Sequence, residues 1–239
     1  MKHSLIGLAF TVVFCNACVA GTIIAQNGPH VVFNTIPFGP PSGGGEFQEV
    51  YSASLFSGPV DITSFAFSPD TTSLYSANVT LRLTTTSVAV GSLSANLGSN
   101  FVTPLTTVFS NPLFSQTVTG GSETFSLDFN LTTPFVYNPA SGNLLLDVQI
   151  SGVTYSGFGF SRSDAGPNIS RAWNTVGNGN GADGVGLRTE IGFAAVPEPG
   201  TICLTLIGVT TVLVRRKRRL RQTHYRLKHS STQQSALVG

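Results

Sequence analysis

Apolar and polar residues alternate with a period of two through most of the chain between Val50 and Phe193. Such alternation places apolar side chains on one face of a β-strand and polar side chains on the other. The clearest runs have apolar residues at Val79, Leu81 and Leu83, at Phe125, Leu127, Phe129 and Leu131, at Leu144, Leu146, Val148 and Ile150, and at Leu187, Ile191 and Phe193. The pattern predicts strands that are buried on one side.

Turn-forming residues separate these runs. They are grouped at Ser57-Gly58-Pro59, Ser68-Pro69-Asp70, Gly120-Gly121 and Asn138 to Asn143. Their spacing is typical of antiparallel sheets. We therefore predict an all-β fold over residues 50–195, an antiparallel β-sandwich of jelly-roll-like type with about eight to ten strands. Residues 21–49 are rich in Gly and Pro and include Gly43-Gly44-Gly45, so we expect an edge loop or a flexible leader there.

The first 20 residues have the pattern of a secretory signal peptide. Lys2 gives a positive start, an apolar run extends from Leu5 to Phe14, and small residues lead to Ala20. We expect cleavage between Ala20 and Gly21. Lipid attachment at Cys18 is the alternative, but Cys15 stands where a lipoprotein signal has an aliphatic residue.

A second apolar segment, Ile202 to Val214, lies near the C-terminus. As a helix its 13 residues would span about 20 Å, which is short for a hydrocarbon core of about 30 Å. Five consecutive basic residues follow, Arg215, Arg216, Lys217, Arg218 and Arg219, and form a stop-transfer pattern. We expect a single transmembrane helix over about residues 201–214 and a polar, basic cytoplasmic tail over 220–239.

The residues directly before this helix are Val196, Pro197, Glu198, Pro199, Gly200 and Thr201. This hexapeptide, the apolar helix and the basic cluster, together residues 196–219, resemble the PEP-CTERM family of bacterial sorting domains. The resemblance implies recognition by an exosortase, a membrane-embedded cysteine protease, and delivery to the cell surface or extracellular matrix of bacteria that make exopolysaccharide. The two prolines fix φ and hold Glu198 on an extended segment. The tail beyond Arg219 is longer than the family usually has.

Charge is distributed unevenly along the chain, although only 10% of the residues are charged. Between Gly21 and Gly200 four arginines stand against all 11 acidic residues, which gives a net charge of −7. Because an acidic surface repels polyphosphate, we expect no nucleic-acid partner. The three cysteines, Cys15, Cys18 and Cys203, lie in the terminal segments, so no disulfide is expected within the domain.

Patterns that indicate catalysis are sparse in the domain. Its one histidine, His30, lies in the Gly/Pro-rich segment, and it has no cysteine. Neither a Ser-His-Asp or Cys-His arrangement nor a zinc site is therefore indicated. Asp128 and Asp147 lie on the polar faces of predicted strands, where we expect solvated carboxylates, with a glycosidase role as the alternative. We assign no catalytic residue.

Two features near residue 180 offer ligand chemistry. Residues Gly179 to Gly184 match the G-x-G-x-x-G pattern, but a predicted strand follows, so we interpret residues 177–186 as a loop and not as a dinucleotide site. Its Asn178, Asn180 and Asp183 are candidate calcium ligands, and no other cofactor is expected. Trp173 is a candidate platform for sugar stacking, with core packing as the alternative.

These features predict an exported, non-enzymatic protein with a structural or adhesive role. We expect it to be anchored in the inner membrane at least transiently, and then to lie at the cell surface with exopolysaccharide as a partner. The alternative is a lectin-like carbohydrate-binding module, and the third interpretation is a secreted glycoside hydrolase. An exposed Trp or Tyr cluster at one end of the sandwich would favour the module, and two carboxyl groups converging in a cleft would favour the hydrolase.

Overall fold

The computed structural model describes residues 20–28 and 32–196. Within these residues the chain forms thirteen strands: β1 Ala20–Ala25, β2 Val32–Asn34, β3 Gly45–Tyr51, β4 Val60–Phe67, β5 Ser73–Thr86, β6 Thr106–Val118, β7 Leu127–Tyr137, β8 Asn143–Thr154, β9 Phe160–Ser163, β10 Ile169–Thr175, β11 Gly179–Asp183, β12 Gly186–Leu187 and β13 Thr189–Ala195. Short 3₁₀ helices lie at Pro40–Ser42, Ala53–Leu55, Leu97–Ser99 and Pro139–Ser141.

The strands are arranged in two larger sheets and one small sheet. The six-stranded sheet has the order β11-β10-β3-β8-β5-β6, and the four-stranded sheet has the order β1-β13-β4-β7. A three-stranded sheet, β12-β9-β2, lies beside them in the strand order. Neighbouring strands pair antiparallel throughout. The prediction of an all-β fold is confirmed for the described part of the chain.

The alternating runs correspond to long strands. β5, β7, β8 and β13 cover most of the four runs that the sequence pattern indicated. The predicted turns lie between strands, and the turn from β7 to β8 shows why: the side chain of Asn138 accepts a hydrogen bond from the backbone N–H of Ala140 at 3.0 Å. An Asn side chain that caps its own turn in this way favours a reversal of the chain.

The domain begins earlier than residue 50, because residues 21–49 are not a leader outside it. β1 pairs with β13, and β3 lies between β8 and β10 inside the six-stranded sheet. The glycines that suggested flexibility form a tight entry to β3. Gly45 has a φ of +137°, and a Cβ atom there would lie 2.3 Å from the carbonyl oxygen of Asn174. Only glycine fits such a close approach.

The main core lies between the two larger sheets. Fully buried side chains from both sheets form it, among them Leu81, Leu83, Leu146 and Val148 from one and Ile62, Phe65, Phe129 and Ile191 from the other. Aromatic rings meet across the interface, with centroids 6.1 Å apart for Tyr51 and Phe65 and 4.9 Å apart for Phe114 and Phe129. Because residues 20–196 contain no cysteine, apolar burial of this kind is the main source of stability.

A second, smaller core lies on the opposite, outer face of the six-stranded sheet. Residues 87–105, which connect β5 to β6 and are called the outer loop below, fold back over this face. Leu93 and Leu97 from the outer loop pack against Val50, Leu145 and Ala172 of the sheet. The outer loop therefore buries one end of a sheet face that would otherwise be in contact with water.

Part of the predicted 177–186 loop is a strand. Residues Gly179–Asp183 form β11, an edge strand that pairs with β10 from Thr175↔Gly179 to Arg171↔Asp183. Gly179 provides the turn, with a φ of +61°. The loop prediction is wrong for these residues because pairing with β10 satisfies their backbone, and an edge strand tolerates glycine.

The predicted targeting segments lie almost entirely outside the described residues. Pro197 to Thr201, the helix over about 201–214, the basic residues 215–219, the tail 220–239 and His30 all fall there. Ala20 and Gly21, the predicted cleavage point, lie at the start of β1 opposite Ala194 and Phe193. Among the residues that are described, no helix has the length and apolar character needed to cross a bilayer.

Phe129→Ala is expected to lower the free energy of unfolding by about 3–5 kcal/mol, because it leaves a cavity in the main core. The Phe129 ring is fully buried against Phe38, Phe109 and Phe114. Urea unfolding followed by circular dichroism measures the change. Leu113→Ala is the control, since that side chain is 86% exposed and its loss should change stability by less than about 0.5 kcal/mol. Equal losses for the two variants would contradict the assignment of Phe129 to the core.

Candidate functional site

The outer face of the six-stranded sheet carries three rows of side chains that run across the strands. The covered row is Ser170, Val50, Leu145 and Thr84, the buried polar row is Gln48, Asp147 and Arg82, and the open row is Asn180, Asn174, Glu46, Gln149, Thr80 and Ser110. Residues directly opposite each other on paired strands point to the same face. The outer loop lies over the covered row and leaves the open row accessible.

The buried polar row is built around Asp147. The carboxylate has no exposed surface and accepts hydrogen bonds from Gln48 Nε2 at 2.9 Å and from Arg82 Nε and Nη2 at 2.9 and 2.6 Å. A buried carboxylate is tolerated only when it is paired and hydrogen-bonded in this way. The expectation that Asp147 is solvated is therefore wrong, because its neighbours on the sheet and the outer loop exclude water from this part of the face.

Asn100 joins the outer loop to the buried polar row. Its Nδ2 donates to Gln48 Oε1 at 2.9 Å, and its Oδ1 accepts from the backbone N–H of Ser94 at 2.8 Å. A continuous chain of hydrogen bonds therefore runs from the outer loop through Gln48 to Asp147 and Arg82. Because these groups are buried and each has a partner, the network holds the outer loop on the sheet.

Glu46 lies where the buried polar row meets the open row. Arg82 Nη2 donates to Glu46 Oε1 at 2.9 Å, so the same nitrogen contacts both Glu46 and Asp147. The Glu46 side chain is 33% exposed. Burial, together with the hydrogen bond and negative charge of Asp147, raises the pKa of Glu46 to about 7 in spite of the opposing effect of Arg82. Glu46 is therefore partly protonated at neutral pH.

Two depressions flank Glu46 along the open row. One has a volume of about 510 Å³ and is lined by side chains that include Asn78, Gln149 and Ser151. The other has a volume of about 470 Å³ and extends to Asn180 and to residues 95–98 of the outer loop. Both are lined by Glu46 and Asn174. We call the two together the polar groove, and its volume is in the range of small-ligand sites.

Most polar side chains of this groove are free to bind a ligand. The side chains of Asn78, Gln149, Ser151, Asn174 and Asn180 make no hydrogen bond within the described part of the chain. Each amide offers two N–H donors and one oxygen acceptor, and the serine hydroxyl both donates and accepts. The polar groove therefore presents donors and acceptors side by side on a rigid sheet.

A second group of ionisable side chains lies on the inner face of the same sheet. Glu49 is completely buried, and its Oε2 accepts from the backbone N–H of Leu187 at 3.1 Å. Arg171 Nε and Nη2 donate to the carboxylate of Asp183 at 3.0 and 2.9 Å. Within the described residues, Glu49 Oε1 and Arg171 Nη1 have no hydrogen-bond partner. Burial raises the pKa of Glu49 well above its usual range, with the Leu187 N–H and the charge of Arg171 opposing it.

The candidate calcium ligands are not brought together. Asn180 and Asp183 are an odd number of residues apart on β11, so their side chains point to opposite faces. Asp183 is held by Arg171 on the inner face, and Asn178 lies in the adjacent turn, where its Nδ2 is 3.4 Å from Thr175 Oγ1. In the described ranges, no group of three or more His, Cys, Asp or Glu side chains is placed to hold a metal ion.

Trp173 lies on the inner face, where its half-buried ring packs against the main core. The Arg171 guanidinium is 5.0 Å from the ring centroid, and a Cβ atom on Gly181 would approach the ring to 2.5 Å. These contacts correspond to the packing alternative. The tyrosines of the described residues, Tyr51, Tyr75, Tyr137 and Tyr155, are also buried, so this part of the chain presents no exposed Trp or Tyr cluster.

Sequence reasoning did not identify Glu46, Gln149 or Asn174 as site residues. A signal was present in the alternation of Glu46, Gln48 and Val50 along β3, but that strand lay mostly in the predicted leader. Nor does the sequence show that Gln48 meets Asp147, 99 positions away. That contact depends on the pairing of β3 with β8.

Comparisons with protein-family models, with curated proteins and with solved structures find no match to this chain.

Arg82→Met is expected to lower the free energy of unfolding by about 3–5 kcal/mol, because it leaves the buried Asp147 carboxylate without its cationic partner. Urea unfolding at neutral pH measures the loss. Arg162→Met is the control: Arg162 is partly exposed and has no ion pair within the described residues, so the expected change is below about 1 kcal/mol. An Arg82→Met variant as stable as the wild type would show that Asp147 does not depend on the pair.

Glu49→Gln is expected to reduce the pH dependence of stability. The folded-state pKa of Glu49 lies above the usual value of 4.5, so its stabilising contribution is fully present below about pH 4.5 and is lost as the pH rises through the folded-state pKa. The wild-type melting temperature should therefore be higher at about pH 5 than at about pH 8.5. Glutamine cannot ionise, so the variant should show a smaller difference in thermal unfolding. The same difference in both proteins would exclude a raised pKa at Glu49.

Proposed function

We propose that the chain is an exported bacterial surface or extracellular-matrix protein with a non-enzymatic, structural or adhesive role. The observation that carries the proposal is the order of segments in residues 196–219: Val-Pro-Glu-Pro-Gly-Thr, an apolar run and five basic residues. An apolar run in front of a basic cluster stops transfer across a membrane and orients the chain. The signal-peptide pattern of residues 1–20 supports export from the other end.

Sorting would proceed through the membrane and an exosortase. In this proposal residues 1–20 are removed after Ala20, the helix over about 201–214 holds the protein in the inner membrane, and an exosortase recognises Pro197, Glu198 and Pro199. The domain between them then reaches the cell surface. The apolar run of 13 residues is short for a permanent span of about 20 residues, which favours transient retention.

The displayed domain is a jelly-roll-like sandwich in this proposal. The strand pairs are nested: β1 pairs with β13, β3 with β8, β4 with β7, and β5 with β6. Nested pairs of this kind describe one long hairpin rolled up so that its successive pairs alternate between two sheets, which is the jelly-roll arrangement. β10 and β11 extend the six-stranded sheet beyond it.

A carbohydrate-binding role is the second candidate, and the polar groove is the observation that favours it. Its free amide and hydroxyl groups suit a ligand with many hydroxyls. The glycoside hydrolase interpretation gains less, although two carboxyl groups, Glu46 and Asp147, do lie together. Asp147 has no exposed surface and is already bound by Gln48 and Arg82, so it cannot reach a substrate.

Replacing Pro197, Glu198 and Pro199 by alanine is expected to block sorting. The wild-type protein should be found at the surface or outside the cell with both ends shortened and Gly21 as its first residue. The variant should keep its C-terminal segment and stay with the inner membrane, because the extended recognition element is lost. Cell fractionation with intact-mass spectrometry measures both.

Pro104→Ala is the control for this experiment, since it removes an exposed proline from the domain and leaves the sorting segment intact. It should be processed like the wild type. If the triple variant has the same mass and surface delivery as the wild type, the exosortase proposal fails. A wild-type protein that retains residues 1–20 would contradict the signal peptide separately.

A further inference from the structure

We propose that the polar groove binds a neutral saccharide chain that lies across the strands, and that Glu46 selects against acidic sugars. The inference names a ligand class for the surface role proposed above and rests on that role for its biological setting. The groove itself is defined by the contacts of the domain alone.

The open row has the shape of an extended binding strip. Its six residues, Asn180, Asn174, Glu46, Gln149, Thr80 and Ser110, come from six neighbouring strands in the sheet order. At about 4.8 Å between strands, the strip is about 24 Å long. Residues 95–98 of the outer loop form a wall along part of it. A chain molecule of several units therefore fits the strip better than a single small molecule.

The side chains of the strip match a ligand rich in hydroxyls. The free amides of Gln149, Asn174 and Asn180 and the hydroxyl of Ser151 offer donors and acceptors together, as sugar hydroxyls do. Thr80 Oγ1 and Ser110 Oγ hydrogen-bond to each other at 3.1 Å, so that end of the strip is already partly satisfied. The strongest contacts are therefore expected between Asn180 and Gln149.

Other ligand classes fit the groove less well. A peptide added as a further strand needs an unpaired strand edge, whereas the floor of the groove is formed by β3, β8 and β5, each paired on both sides. A nucleic acid needs cationic side chains, and the only cation beside the groove, Arg82 among the described residues, is already bound to Glu46 and Asp147.

Glu46 gives the strip its charge preference. It is the one titratable residue among those that line the groove in the described part of the chain. The charged groups that face it are Asp147 from β8 and Arg82 from β5, while β10 presents the neutral Asn174. Because its pKa is raised to about 7, Glu46 becomes negatively charged above neutral pH and then repels carboxylated sugars.

The test is direct binding by the purified full-length protein. An array of defined oligosaccharides is used first, with neutral gluco-, manno- and galacto-oligosaccharides, oligogalacturonates as acidic probes and an unrelated polar peptide. The affinity for the best neutral oligosaccharide is then measured by calorimetry. Asn174→Ala and Gln149→Ala should each weaken binding about 2- to 10-fold, the effect of losing one or two hydrogen bonds.

Asn130→Ala is the matched control, because it removes an exposed amide from β7 of the other sheet. It should leave the affinity unchanged, and all three variants should melt like the wild type. The proposal is overturned if no neutral oligosaccharide binds, if the peptide binds instead, or if Asn130→Ala weakens binding as much as Asn174→Ala. Because no step depends on export, failure here leaves the sorting proposal standing, and failure of the fractionation experiment leaves this one standing.

The role of Glu46 is tested with the acidic probe. At about pH 8 the wild type should reject oligogalacturonate, and Glu46→Gln should bind it at least roughly fivefold more tightly, the effect of removing about 1 kcal/mol of repulsion. The wild type should also gain affinity for this probe as the pH falls below about 6, whereas the variant should show no such change. Equal rejection of the probe by both proteins at pH 8 would remove Glu46 from the selection of ligands.

Discussion

The ion pair between Arg82 and Asp147 is the interaction on which the outer face of the larger sheet depends. Asp147 is completely buried, and a buried carboxylate without a partner would be strongly destabilising. Arg82 on β5 must therefore lie beside Asp147 on β8, and Gln48 on β3 completes the coordination from the other side. The requirement fixes the three central strands relative to one another. Through Asn100, it also fixes the outer loop.

The same face changes character along its strands, and the change decides what each part of it does. Where the residues are apolar, as at Val50 and Leu145, the outer loop packs over them and forms the second core. Where they are amides and hydroxyls, as at Asn174 and Gln149, the face stays open and forms the polar groove. Glu46 stands at the boundary, close enough to the buried pair for its pKa to be raised. The polar groove is thus supported from below by buried, fully paired groups.

This arrangement suits a protein that is displayed outside the cell. The domain contains no disulfide-forming residue, so its rigidity comes from the apolar core between the sheets and from the polar network on the outer face. Backbone groups on the groove floor are used in strand pairing, which leaves side chains to make any contacts with a ligand. A rigid floor reduces the entropy that binding has to overcome. Export and the polar groove are independent features, and each supports a surface role.

The sequence by itself determined the all-β fold, because period-two alternation is a local property of each strand and can be recognised without knowing its partners. It could not determine the start of the domain, since the glycines before β3 have the composition of a flexible leader and become rigid only against Ile150 and Asn174. Nor could it determine that Asp147 is buried. The same alternation places Asp147 on a polar face, and only the folding of the outer loop over that face, together with Arg82 from 65 residues away, removes it from water.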